Sequence, residues 1–194
     1  MATRLSLSPT LKRWTRTKTE TVATYPVFSV ERHSLRDGEG RPRRDVFTFG
    51  CGDWVNVLAL TPANELVLIW QYRFGTDKVS LESPGGMIDQ GEEPIDAARR
   101  ELREETGYSA ESFELLTVVE PNPALQGNRC FMYLARGARL EHQTSFDDLE
   151  EIEVALIPQA NAAQLIDEGH ITHSLCVVAL ERFLRNERSL SQTP

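Results

Sequence analysis

Glu101, Glu104 and Glu105 crowd together in the stretch PGGMIDQGEEPIDAARRELREETGY, residues 84–108. On a helix turning about 100° per residue, Ile95, Ala98 and Leu102 form an apolar seam. The three glutamates make a contiguous flank beside that seam, and Arg99, Arg100 and Arg103 occupy the other flank. Like charges at this spacing weaken a bare helix by tenths of a kcal/mol per pair. A hard divalent cation reverses the sign, because carboxylates are its preferred ligands. The flank borders the seam, so the acids sit at the edge of a cleft. The plain alternative is a solvated helix laced with ion pairs such as Asp96–Arg100–Glu104. Gly85-Gly86 and Gly91, just before the helix, allow tight backbone geometry that leaves carbonyl oxygens for a metal shell. The chemistry suggested is water activation beside a polyanion.

Such a site needs elements to hold it. Pro94 and Gly107 mark the start and stop of a helix over 94–106. Residues 26–34 and 44–49 alternate apolar and polar like half-buried antiparallel strands, and RDGEGRPR between them reads as a turn. Stronger strands follow at 54–60 and 66–72; the second, with VLIWQY, is apolar enough to be covered on both faces. Further strands are expected at 114–120, 130–135 and 152–157, and helices at 158–168 and 174–186. The polar C-terminal end, 188–194, reads as a frayed tail. Mixed in this order, the elements predict a layered α/β or α+β domain.

The bulk properties narrow the function. The chain has 194 residues and a net charge of −8. Residues 1–19 hold five basic groups and no acid, which leaves 16 basic residues against 29 acidic ones, a balance of −13. A mobile basic arm accounts for that start. The acidic body repels nucleic-acid backbones, so a nucleic-acid partner is not expected. No apolar run is long enough for a membrane helix. Cys51, Cys130 and Cys176 are scattered, which argues against a disulfide framework or a zinc motif. They fit a reducing cytoplasm, where they serve as small buried hydrophobes.

The spacing Gly86, Glu92, Arg100, Glu101, Leu102, Glu104, Glu105, Gly107 and Tyr108 resembles the Nudix box, G-x5-E-x7-R-E-U-x-E-E-x-G-U with U apolar. Only Tyr108 departs, as an aromatic where a branched aliphatic is usual. At average residue usage the charged and glycine positions arise by chance at roughly one in ten million per start site. The resemblance covers about residues 45–185. Gln71-Tyr72-Arg73, LESPGG (81–86), Pro123 and PNPALQGNRC (121–130) resemble the ADP-ribose and nucleotide-sugar branch, with Gly127 in place of an asparagine.

The resemblance implies an α/β Nudix fold: a mixed sheet sandwiched between helices (50–187), with an N-terminal antiparallel strand unit (1–49) that serves a homodimer. It implies Mg2+, or Mn2+, held by Glu101, Glu104, Glu105 and the Gly85 carbonyl, with Arg100 and Glu92 orienting the loop. Among catalytic residues it adds to Glu101 and Glu105 a general base just before the strand at 152–157, where Glu150 is favoured and Asp148 is second. Arg73, Glu82 and Pro123 are the expected substrate contacts, Glu82 alternatively an anchor of its loop. His33, His142, His170 and His173 form no motif and are expected to be structural. The expected reaction cleaves the pyrophosphate of nucleoside diphosphate sugars such as ADP-ribose. Alternatives are another nucleoside diphosphate derivative (a dinucleoside polyphosphate or coenzyme A derivative), or a non-catalytic module that senses ADP-ribose.

Overall fold

A computed structural model describes residues 7–146 and 151–191, with side chains through residue 188. The chain divides into two units, Met1–Cys51 with Asn122–Gly127, and Gly52–Pro121 with Asn128–Pro194.

The first unit is a three-stranded antiparallel sheet of β1 (Thr15–Thr24), β2 (Ser29–Arg36) and β3 (Pro42–Gly50) in that order. β2 and β3 follow the alternating segments of the sequence. β1 does not: it corrects the expectation of a mobile arm. Threonines at 15, 17, 19 and 21 alternate with charged residues, so β-branching favours extended backbone while no apolar period appears. His33 is wholly buried and ties the sheet together. Its Nδ1 lies 2.9 Å from Thr19 Oγ1 on β1 and its Nε2 2.7 Å from Thr48 Oγ1 on β3. Asp37 closes the β2–β3 turn by accepting the N–H groups of Glu39 and Arg41. The segment 122–127 joins this unit through the Phe49 N–H, which donates to Leu125 O at 2.7 Å.

The strands of the second unit are β4 (Trp54–Leu60), β5 (Glu65–Arg73), β6 (Lys78–Glu82), β7 (Tyr108–Ser109), β8 (Ser112–Val119), β9 (Cys130–Arg136), β10 (Arg139–Leu140) and β11 (Ile152–Pro158). Six of them form a mixed sheet in the order β11-β5-β4-β9-β8, with β6 also paired to β5, while β7 and β10 make a small ribbon. β4 and β9 run parallel, Trp54 beside Cys130; the other pairings are antiparallel. Helices α1 (Pro94–Thr106), α2 (Ala162–Asp167) and α3 (Ser174–Ser191) complete the unit.

Strand alternation sends successive side chains to opposite layers. Val55, Val57 and Ala59 pack with Ala98 and Leu102 of α1 on one face. Leu58 and Leu60 pack with Leu180 and Phe183 of α3 on the other. The sheet is therefore sandwiched between helices, the arrangement expected from the sequence. Pro94 opens α1, and Gly107 closes it in the left-handed region with its N–H on Arg103 O at 2.8 Å. α3 runs on to Ser191, past the end at 186 that its apolar pattern marks. Among the described residues, no helix is long and apolar enough to cross a membrane.

Candidate functional site

The loop between β6 and α1 runs alongside β4. Val57 N–H donates to Pro84 O at 2.8 Å, Val55 N–H to Gly86 O at 2.9 Å, and Ile88 N–H to Asp53 O at 2.9 Å. Gly85, between the first two contacts, turns its N–H to Glu105 Oε2 at 2.8 Å. A side chain is excluded at Gly85 by backbone, and at Gly86 it would displace the Glu101 carboxylate. A Cβ at Gly85 would lie 2.3 Å from Val55 O, and one at Gly86 would lie 2.4 Å from Glu101 Oε1. The double glycine thus lets the loop press between β4 and the carboxylates of α1.

Arg100 locks the loop to the helix. Its Nε and Nη2 donate to Glu92 at 3.0 and 2.8 Å, and Nη2 also reaches Met87 O at 3.0 Å. Its Nη1 donates to Glu101 Oε1 at 2.8 Å and to Glu104 Oε2 at 3.4 Å. The hydrogen bond from Arg100 holds Glu92 below the usual carboxylate range. The bond to Glu92 and the nearby Glu101 raise the guanidinium pKa in turn, against the opposing effect of burial. Glu101 is 9% exposed and Glu105 4%, whereas the Glu104 side chain is about one-third exposed. Two buried carboxylates and a third beside them, with all-oxygen donors, suit a hard cation. Asp96 pairs with Arg99 at 2.8 Å, not with Arg100.

A cavity of about 710 Å³ opens beside this loop, lined by Gly85, Gly86 and Met87 together with Arg73, Glu82 and His173, among others. Glu82, at the end of β6, is 1% exposed. Its carboxylate accepts Arg73 Nε at 3.0 Å and Nη2 at 2.8 Å, and His173 Nδ1 lies 2.8 Å from Oε2. Burial alone would raise the Glu82 pKa, but the bonds from His173 and Arg73 outweigh it and hold it down to about 2. Hydrogen bonds to Cys176 and Glu82 push His173 up to about 10, against the effect of burial.

Glu105 and Glu101 therefore meet Gly85 and Gly86, Glu104 is joined to them through Arg100, and Arg73 and Glu82 lie together on the cavity wall. Pro123 is exposed and belongs to the 122–127 segment of the first unit. Glu150 and Asp148, the expected general-base candidates, lie outside the described residues; β11 begins at Ile152, just beyond them. The carboxylate of Glu82 is taken up by Arg73 and His173, the geometry of an anchor. Sequence reasoning missed His173 and Lys78 as cavity residues. No local pattern marks them: Cys176, one turn beyond His173, meets Ser83 across 93 residues of chain.

Comparisons with known proteins identify the family. The family model for the NUDIX domain matches residues 53–174. A methanol dehydrogenase activator from Bacillus methanolicus is 31% identical, over 84% of this chain and 90% of its own length. An ADP-ribose pyrophosphatase from Bacillus subtilis is 28% identical over the same shares. The ADP compounds hydrolase NudE of Escherichia coli is 27% identical, over 90% of this chain and 93% of its own. A crystal structure of an ADP compounds hydrolase superposes with a TM-score of 0.84 at 25% identity, covering 96% of this chain and all of that one. With the family model spanning more than half of the sequence, and the box residues gathered around one loop, the chain belongs to the Nudix family as a hydrolase of its ADP-ribose pyrophosphatase-like branch.

Proposed function

We propose that this hydrolase cleaves the pyrophosphate of nucleoside diphosphate sugars, ADP-ribose among them, to a nucleoside monophosphate and a sugar phosphate in a Mg2+-dependent reaction. The observation that carries this is the placement of the Glu101 and Glu105 carboxylates against Gly86 and Gly85, two glycines that also line the cavity. Similarity to ADP-ribose pyrophosphatases and ADP compounds hydrolases supports the substrate class. Glu101, Glu104, Glu105 and the Gly85 carbonyl would hold magnesium, which supplies charge neutralisation and a more acidic water; manganese fits the same donors.

The remaining work falls to the chain itself. Arg100 fixes the direction of Glu101 and Glu104 while Glu92 fixes Arg100. Arg73, held bidentately by Glu82, presents a cation on the cavity wall, suited to phosphate oxygens. Glu150, with Asp148 as the alternative, takes the proton from the attacking water. The homodimer proposed for the chain is supported by exposed apolar side chains on the three-stranded sheet, Phe47 and Val22 among them. A cytoplasmic location follows from the unpatterned cysteines.

The deciding experiment supplies ADP-ribose with and without Mg2+ and identifies products by mass spectrometry in heavy-oxygen water. AMP and ribose 5-phosphate appearing only with the cation is the expected result. Inorganic phosphate or pyrophosphate as the primary product from every nucleotide sugar would overturn the assignment, as would full turnover after exhaustive chelation.

A further inference from the structure

Three donors of different chemistry, none of them an α1 carboxylate, meet at the cavity wall. They are the Glu82 carboxylate at the end of β6, His173 just before α3, and Cys176 in the first turn of α3. One ligand atom from each lies within 4.8 Å of the others. Nδ1 of His173 is 2.8 Å from Glu82 Oε2 and 3.4 Å from Cys176 Sγ. A tetrahedral zinc with bonds of about 2.0–2.3 Å places its ligand atoms roughly 3.3–3.8 Å apart, so the two contacts of His173 lie within about half an ångström of that range.

The surroundings of the sulfur point the same way. Cys176 is fully buried, which by itself suits a small hydrophobe. Yet Sγ accepts the Ser83 N–H at 3.5 Å, and Asn56 Nδ2 approaches it at 3.8 Å, while Ser83 Oγ, 3.3 Å from the sulfur, donates to Asn56 Oδ1 at 2.8 Å. Donors around the sulfur, themselves fixed by a neighbour, are what orient a metal-bound thiolate. His173 and Glu82 line the cavity whereas Cys176 does not, so a cation would enter from the cavity and keep one position open to solvent. Glu82 can serve through Oε2 and still keep Oε1 on Arg73 Nε at 3.0 Å.

We infer that Glu82, His173 and Cys176 form a second cation site, selective for a thiophilic divalent ion of the Zn2+ class and separate from the magnesium carboxylates. An oxygen–nitrogen–sulfur donor set is wrong for Mg2+, which keeps to oxygen, and right for Zn2+. Binding releases the protons of Nδ1 and Sγ to solvent. It also ties β6 to α3 across the cavity wall, so occupancy restricts the space beside Arg73.

Co2+ is the probe, titrated into the chelator-treated full chain without substrate. The expected result is one equivalent with thiolate-to-cobalt charge-transfer absorption, chased by Zn2+ and untouched by a large excess of Mg2+. The band should survive in the Cys51→Ser/Cys130→Ser double variant and in Glu105→Gln, and vanish in Cys176→Ser with an unchanged circular dichroism spectrum. His173→Gln should weaken cobalt binding at least about tenfold, and it decides the matter if Cys176→Ser does not fold. Absence of the band in the unaltered chain, its persistence in Cys176→Ser, displacement by Mg2+, or unchanged affinity in His173→Gln would each overturn the site.

Discussion

Glu105 is buried, takes the Gly85 N–H, and faces a loop with no side chain to shield it. Replacing it by glutamine keeps the shape and removes a ligating charge. Turnover of Glu105→Gln should fall on the order of a thousandfold with the fold intact. Arg103 is half exposed, with only a 3.6 Å contact to Glu104, so Arg103→Gln should stay within a few-fold of the original rate. Equal damage from both changes would mean that the acidic flank is not the working face. Gly86→Ala tests the same geometry from the loop side. The new methyl meets the movable end of Glu101 at 2.4 Å, so the carboxylate shifts while the backbone can stay. A displacement of about 1 Å costs roughly a hundredfold in rate with little loss of stability; an unimpaired Gly86→Ala would count against Glu101 as a ligand. At this scale much was legible in the sequence. The helical wheel separates the three glutamates from Arg103, and the resemblance to the Nudix box points to the tie between Glu92 and Arg100. His173 was not legible, because its partners Glu82 and Cys176 come from a distant strand and from a helix turn whose relation only the fold creates.

The elements differ in how plainly the sequence declares them. α1 carries its own start and stop residues, and β5 carries an apolar run dense enough to be covered on both faces. β1 and β6 lack such marks. β1 has two polar faces, and KVSLE of β6 is too short for a period to emerge. Yet β6 carries Glu82, whose bonds tie it to Arg73 on β5 and to His173 at the start of α3. That tie makes stability depend on pH in metal-free protein. The Glu82 carboxylate, held down to about 2, contributes fully above its unfolded value of about 4.3, and the contribution is lost as pH falls through 2. The His173 imidazole, pushed up to about 10, contributes fully below its unfolded value of about 6.5, and the contribution is lost as pH rises through 10. The melting temperature of chelated protein should therefore decline across that alkaline window, and the decline should flatten in His173→Gln. Parallel melting curves for the two proteins at every pH would remove His173 from the account.

For the whole molecule, the first unit raises a question that its own core does not answer. His33 and its threonines occupy one face of the three-stranded sheet, and Arg32, Phe47 and Phe49 stand on the other, by strand alternation. Phe47 is 54% exposed and Val27, at the entry to β2, 58% exposed. Tyr25, Phe28 and Phe49 stack in sequence with ring centroids 5.2 and 5.3 Å apart, yet Tyr25 remains largely open to solvent. Apolar side chains gathered in this way on a small sheet are costly to leave in water, at about 25 cal/mol per Å², and contiguous exposed patches mark association surfaces. A second copy of the chain is the partner proposed above, and the same patch on both copies would be buried by a two-fold arrangement. Light scattering at micromolar concentration should give twice the chain mass of 21.9 kDa. Phe47→Glu places a charge on this face, beside Arg32, and should shift the population to monomer. Because Phe47 packs at the sheet surface, circular dichroism of that variant should be unchanged. A chain that is already monomeric at that concentration, or a Phe47→Glu variant that remains fully dimeric, would show that this face is not where the copies meet.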